Sequence, residues 1–175
     1  MTMRFSVPTR GRGFTLIEML VVVVIISILS ALVLAAVSTA RTRAKSMQTQ
    51  GTITGLEAAL DRYEGDFQDF PSSDGDQSGI VGAENLYECL STTMKSGPYI
   101  TRTSDFPTCD PEGKGKPKFC DAWNHPIRYI HHHDYGNKVP NKTSFRLISD
   151  GPNGQAEQGD ASSDDIVNWN KLRPE

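Results

Sequence analysis

Hydrophobic positions in this chain gather in one place. From Met19 to Val37 the sequence reads Met-Leu-Val-Val-Val-Val-Ile-Ile-Ser-Ile-Leu-Ser-Ala-Leu-Val-Leu-Ala-Ala-Val without a single charge. No proline interrupts the stretch from Thr9 to Phe70, and the part beyond the apolar run is rich in Ala, Leu, Met and Gln. These are good helix formers, so one long helix is predicted. Ile53, Leu56, Leu60 and Tyr63 then recur at intervals of three and four, a stripe that faces a core. Gly51 and Gly55 each cost ~1 kcal/mol relative to alanine inside a helix, which predicts fraying or a bend near Gly51. Gly65, then Pro71 with Ser72, Ser73, Asp74 and Gly75, end the helix and open a loop.

Beyond the loop the pattern is α+β. Leu86, Tyr87, Leu90 and Met94 predict a short helix over Glu84 to Met94, stopped by Gly97 and Pro98. Two β-branched or alternating segments, Ile127 to His131 and Thr143 to Ile148, with Gly136 and Pro140 between them, predict a hairpin. The fold expected is a long N-terminal helix, its first half membrane-embedded, packed on a small C-terminal antiparallel sheet head.

Length and charge narrow the functions. The chain has 175 residues and a formal charge of -3, enough for one modest domain once the apolar run is set aside. Arg4, Arg10, Arg12, Arg41, Arg43 and Lys45 flank that run and Glu18 is the one acid before residue 46, so the remaining 12 bases and 20 acids lie beyond it. An acidic body argues against nucleic acid as a partner. The run, ~28 Å long at ~1.5 Å per residue, reaches across a hydrocarbon core with its flanks. A removable secretory signal, with Ser38-Thr39-Ala40 as its cleavage site, is the rival reading. Its core should be only ~7 to 15 residues, and it has no use for Glu18. That carboxylate costs on the order of 2.5 to 3.5 kcal/mol at a bilayer centre. It therefore asks either for the headgroup level and the positive end of a helix macrodipole, or for a cation from another chain.

The residues from Arg10 to Val22, Arg-Gly-Arg-Gly-Phe-Thr-Leu-Ile-Glu-Met-Leu-Val-Val, resemble the type III leader and cleavage site of type IV pilins and type II secretion pseudopilins. The resemblance implies cleavage between Gly13 and Phe14 by a prepilin peptidase at the cytoplasmic face, and N-methylation of Phe14. It also implies an assembly role for Glu18, the fifth residue of the mature chain, which pairs with a neighbouring subunit's N-terminal amine. The division implied is a leader over 1–13, a transmembrane and filament-core helix over 14–40, and a periplasmic globular head over 41–175 that includes the second half of the long helix. Basic residues on both sides of the run leave orientation open. The resemblance places the leader inside and the head in the periplasm.

Further along, Leu56-Glu-Ala-Ala-Leu-Asp-Arg-Tyr63, Asp121-Ala-Trp-Asn-His-Pro-Ile-Arg-Tyr129 and Asp164-Asp-Ile-Val-Asn-Trp169 are similar to the helix end, the Asp-Pro-Trp-Gly-Asn-Pro-Tyr motif and the Asp-Ile-Gly-Asn-Trp ending of the major, G-type pseudopilin. The chain departs from that pattern over Arg102 to Phe119, a longer segment than the family needs. By resemblance the protein is a subunit of a periplasmic pseudopilus anchored in the bacterial inner membrane, not an enzyme. Its partners are its own copies, other pseudopilins, prepilin peptidase, the inner-membrane assembly platform and, before assembly, lipid. The runner-up is a subunit of a type IV pilus; a tethered enzyme or metal carrier using the histidines is the third.

The acidic loop from Asp150 to Asp165 carries the candidate metal residues. Asp160, Ser162 and Asp164 mimic the first EF-hand ligands, but Asp165 and Lys171 break that motif. Composition alone describes a solvated acidic connection. The resemblance implies Ca²⁺ held between the Ser149 to Gly154 turn and the acids before Trp169, with Asp150, Asn153, Asp164 and Asp165 as ligands. Asn153 offers a carbonyl oxygen but no charge, which weakens the site unless Asp150 compensates. In a regular strand His131, His132 and His133 alternate between faces and cannot all meet one ion, so a hairpin tip suits them better. Cys89, Cys109 and Cys120 are odd in number. A Cys109–Cys120 disulfide closes the shorter loop, and pairing with Cys89 stays open.

Overall fold

The computed structural model describes residues 13–93, 96–100, 106–109, 115–134, 144–157 and 163–169. Most of the expected leader lies outside the described residues. Contacts divide the chain into two units, Met1–Arg41 and Thr42–Glu175.

Helix α1 spans Leu16–Phe67, 52 residues. It is the helix, among the described residues, long and apolar enough to cross a membrane. From Gly13 to Leu34 every residue is exposed. Beyond Thr42 the stripe does what its spacing predicts: Ile53, Leu56 and Leu60 are completely buried, with Tyr63 packed at the edge of the same cluster. The helix runs unbroken through Gly51 and Gly55, against the expected weak point. Gly55 has a packing reason, because a Cβ there would fall 2.8 Å from Cζ of Phe106. Alanine would gain ~1 kcal/mol of helix propensity and displace that ring. The helix ends where Gln68 turns to φ 62, its N–H still bonded to the Glu64 carbonyl at 2.7 Å.

The second helix starts earlier than its apolar spacing suggests. Helix α2 covers Ile80–Ser91, not Glu84 to Met94. Its start is fixed by Asp76, whose carboxylate accepts N–H bonds from Ser78 and Val81, both at 2.8 Å, and the Ser78 hydroxyl at 2.9 Å. At the other end Thr92 turns extended, with its N–H and hydroxyl both on the Glu88 carbonyl. Termination therefore precedes Gly97 and Pro98; Met94 lies outside the described residues.

Strands β1 (Thr108–Cys109) and β2 (Lys118–Phe119) form a small antiparallel pair. Strands β3 (Arg128–His131), β4 (Phe145–Ser149) and β5 (Ile166–Val167) form an antiparallel sheet in the order β3-β4-β5. The predicted hairpin is present as β3 and β4, displaced by one or two residues; its expected turn, with Gly136 and Pro140, lies outside the described residues. Tyr129 faces Leu147 across the sheet, and both join the main core with Phe119, Phe145, Leu86 and Leu90. Ile130, Ile148 and Val167 make a smaller cluster with Trp169. The longer segment within Arg102 to Phe119 is more than surface decoration, since Phe106 packs on the core and Phe119 is inside it.

Candidate functional site

Two regions gather the predicted residues. At the N-terminus Phe14 is 80% exposed, one residue before Thr15 opens α1. Thr15 and Glu18 cap the helix reciprocally. The Thr15 N–H and hydroxyl donate to Glu18 Oε2 at 2.8 and 2.7 Å, and the Glu18 N–H donates to Thr15 Oγ1 at 3.3 Å. In one chain the carboxylate thus satisfies orphan donors at the positive end of the helix.

The second region is built on the turn that follows β4. Gly151 and Gly154 both take positive φ, 62 and 65. A Cβ on Gly151 would lie 2.5 Å from the Asp164 carbonyl oxygen, so glycine is what lets the turn seat against the segment before β5. The Asn153 N–H donates to Asp164 Oδ2 at 3.2 Å, and its side-chain amide donates to Glu157 Oε1 at 3.1 Å. The Glu157 N–H in turn donates to Asp165 Oδ2 at 3.1 Å. Glu157, Asp164 and Asp165 each offer a carboxylate oxygen, all within 4.8 Å of one another.

This set overlaps the expected ligands without coinciding with them. Asp164 and Asp165 stand together; Asn153 bridges to them, but its carbonyl accepts the Gln155 N–H at 2.7 Å. Asp150 is turned to Arg128 in a 2.5 Å ion pair. Burial raises the Asp150 pKa above its ordinary range, against the pull of Arg128. Glu157 is the member that the sequence reading missed. Asp160, Ser162 and Lys171 lie outside the described residues. Asp164 Oδ1 is shut away from solvent with no hydrogen-bond partner among the described residues. Clustered hard oxygens with a buried, unsatisfied carboxylate atom fit a cation such as Ca²⁺.

Asp121 anchors this turn to the core. Its Oδ1 accepts the N–H groups of Trp123 and His125 at 2.9 and 2.8 Å, and its Oδ2 accepts the Ser149 hydroxyl at 2.7 Å. Ser149 Oγ receives the Gly151 N–H at 3.3 Å, and the Ala122 N–H reaches Thr49 of α1 at 3.1 Å. A carboxylate only 2% exposed therefore ties the 121–125 loop to β4 and the acidic turn.

Cys109 and Cys120 are disulfide-bonded, with Cα atoms 5.8 Å apart, and Cys89 is free. Strand β3 ends at His131, and His132 and His133 lie in the turn that follows. The three side chains come together there, each with a ring nitrogen within 4.8 Å of the others. The objection from strand alternation lapses because only the first histidine is in the strand.

Residues 9–34 match the prokaryotic N-terminal methylation motif. The chain is 34% identical over 157 residues to the type II secretion system core protein G of Pseudomonas aeruginosa, covering 90% of this chain and 94% of that one. It is 30% identical to the Vibrio cholerae protein of the same name, covering 90% and 91%. Against the Escherichia coli K12 protein of that name it is 28% identical, covering 91% and 92%.

Proposed function

This chain belongs to the type II secretion system core protein G family, and from that premise we propose that it polymerises through its N-terminal helix into a periplasmic pseudopilus. It is a pseudopilin, and membership implies processing by prepilin peptidase and assembly with other pseudopilins. Its work is mechanical, that of a structural subunit. The observation that carries the reading is the fully exposed run from Gly13 to Leu34, which holds the first turns of α1, in a chain similar to its relatives over about nine-tenths of its length. So large an apolar surface needs a cover. Inner-membrane lipid supplies it before assembly, and the helices of other subunits supply it afterwards, fed in by the assembly platform with the head in the periplasm.

Cleavage between Gly13 and Phe14 creates a new amine, methylated in the mature protein, four residues from Glu18. Within one chain Glu18 caps its own helix. In the filament it exchanges part of that bonding for the amine of the next subunit, which offsets the cost of an acid among apolar helices. Ca²⁺ is the ion proposed for the acidic turn, with Asp164, Asp165 and Glu157 as carboxylate ligands and Asn153 fixing the turn. Asp150 contributes field at most, since Arg128 holds it.

Intact-mass and N-terminal peptide mass spectrometry of protein recovered from native membranes test the processing. The mature chain should begin at methylated Phe14. A start at Arg41 would instead identify a removed secretory signal.

A further inference from the structure

We infer that His131, His132 and His133 form a binding site for a divalent transition-metal ion of the Zn²⁺ class, separate from the acidic turn. Three imidazoles on one tetrahedral ion at ~2.0–2.1 Å each place their ring centroids roughly 5.2 Å apart. The observed separations are 4.2 Å for His131 and His132, 4.0 Å for His132 and His133, and 5.1 Å for His131 and His133. The His131–His133 pair already has the liganded separation, and opening the two shorter pairs by about 1 Å completes the arrangement. His132 Nδ1 is shut off from solvent and has no hydrogen-bond partner among the described residues, the condition in which a lone pair is best used on a cation. Imidazole nitrogen selects zinc, copper or nickel over calcium or magnesium.

The surroundings are those of a held ligand. His131 is 6% exposed and its Nε2 lies 3.2 Å from Asp69 Oδ1, the carboxylate contact that fixes the orientation of metal-binding histidines; the ion would take Nδ1, displacing the long 3.4 Å contact that the His133 N–H makes there. Its N–H donates to Ser73 Oγ at 2.9 Å, and Ser73 in turn donates to Asp134. The backbone turns tightly over the site, with the Asp134 N–H on the His131 carbonyl at 3.0 Å. A bound ion would clamp the end of β3 and its turn, and Asp69 would link that clamp to the segment that follows α1. His133 is exposed, so the ion has a path in.

The test is calorimetric titration of Zn²⁺ into tag-free full-length protein in detergent, with Ca²⁺ saturating throughout and Cys89 alkylated. One ion per chain is expected, with Co²⁺ giving a visible ligand-field spectrum. His132→Ala and His133→Ala should each weaken binding by about tenfold or more, and Asp69→Asn by about 10- to 100-fold. Asp164→Ala and Asp165→Ala should leave Zn²⁺ binding unchanged. Metal-free thermal melts of the histidine variants that match wild type establish that they fold. Absence of Zn²⁺ binding by wild type, or binding undiminished in the His132→Ala/His133→Ala double variant, overturns the site.

Discussion

Truncating Asp121 to alanine would strand three donors at once: the N–H groups of Trp123 and His125 and the hydroxyl of Ser149. Each buried polar group left without a partner costs ~1–3 kcal/mol, so Asp121→Ala should lower stability by about 3 kcal/mol or more in denaturant unfolding of the full chain in detergent. A loss under ~1 kcal/mol would mean that water replaces the carboxylate. The acidic turn calls for a different measurement. A cation bound only by the folded form adds ~2.7 kcal/mol at a hundredfold excess over Kd, so the full chain in detergent should melt higher in Ca²⁺ than in chelator. Asp165→Ala and Glu157→Gln should remove most of that difference, and equal melting temperatures would leave the turn as a solvated connection. Asp164, Asp165 and the Ser149 to Gly154 turn could be placed from their resemblance to a family motif. Glu157 could not, because only the Asn153 side chain and the chain path beyond Gly154 bring it in. Asp150 was legible in principle: once Ser149 points inward to Asp121, alternation sends the next residue away from it, and there Arg128 holds it.

At the scale of elements, α2 shows where periodicity falls short. Its apolar residues mark the buried face, but its first turn depends on Asp76, four positions ahead of Ile80, which no hydrophobic pattern reveals. Burial alone would raise the Asp76 pKa, yet hydrogen bonds from Ser78 and the N–H groups of Val81 and Ser78 outweigh it and hold the carboxyl below its ordinary value. A depressed folded-state pKa adds stability above the unfolded pKa of ~3.9, and loses it as pH falls through the lower folded value. Asp76→Ala should therefore cost ~1 kcal/mol at pH 7, as lost helix caps do. The gap from wild type should close below about pH 3.9; a gap independent of pH would place the cost in packing. The long helix and the β3–β4 hairpin were legible because each follows one strong period. The two-residue strands β1, β2 and β5 were not, being too short to show alternation. Asn168 supplies part of the order at β5, accepting the Leu147 N–H at 3.0 Å through Oδ1. Gly55 looked like a weak point because its compensation, Phe106, comes from a distant segment.

The whole molecule joins an apolar helix that needs neighbours to a head with a core of its own, and Glu18 is where the account of assembly is most exposed. Glu18 bonds to Thr15 within the first turn of its own helix, so its removal should spare the head while disturbing the filament. The decisive measurement is the amount of full-length protein recovered in sheared, sedimented filaments from cells producing wild type or Glu18→Ala at equal membrane levels. The variant should insert, be cleaved at Gly13 and melt like wild type, yet yield almost no filament. Filaments from Glu18→Ala in wild-type amounts would contradict the pairing of this carboxylate with a neighbouring subunit.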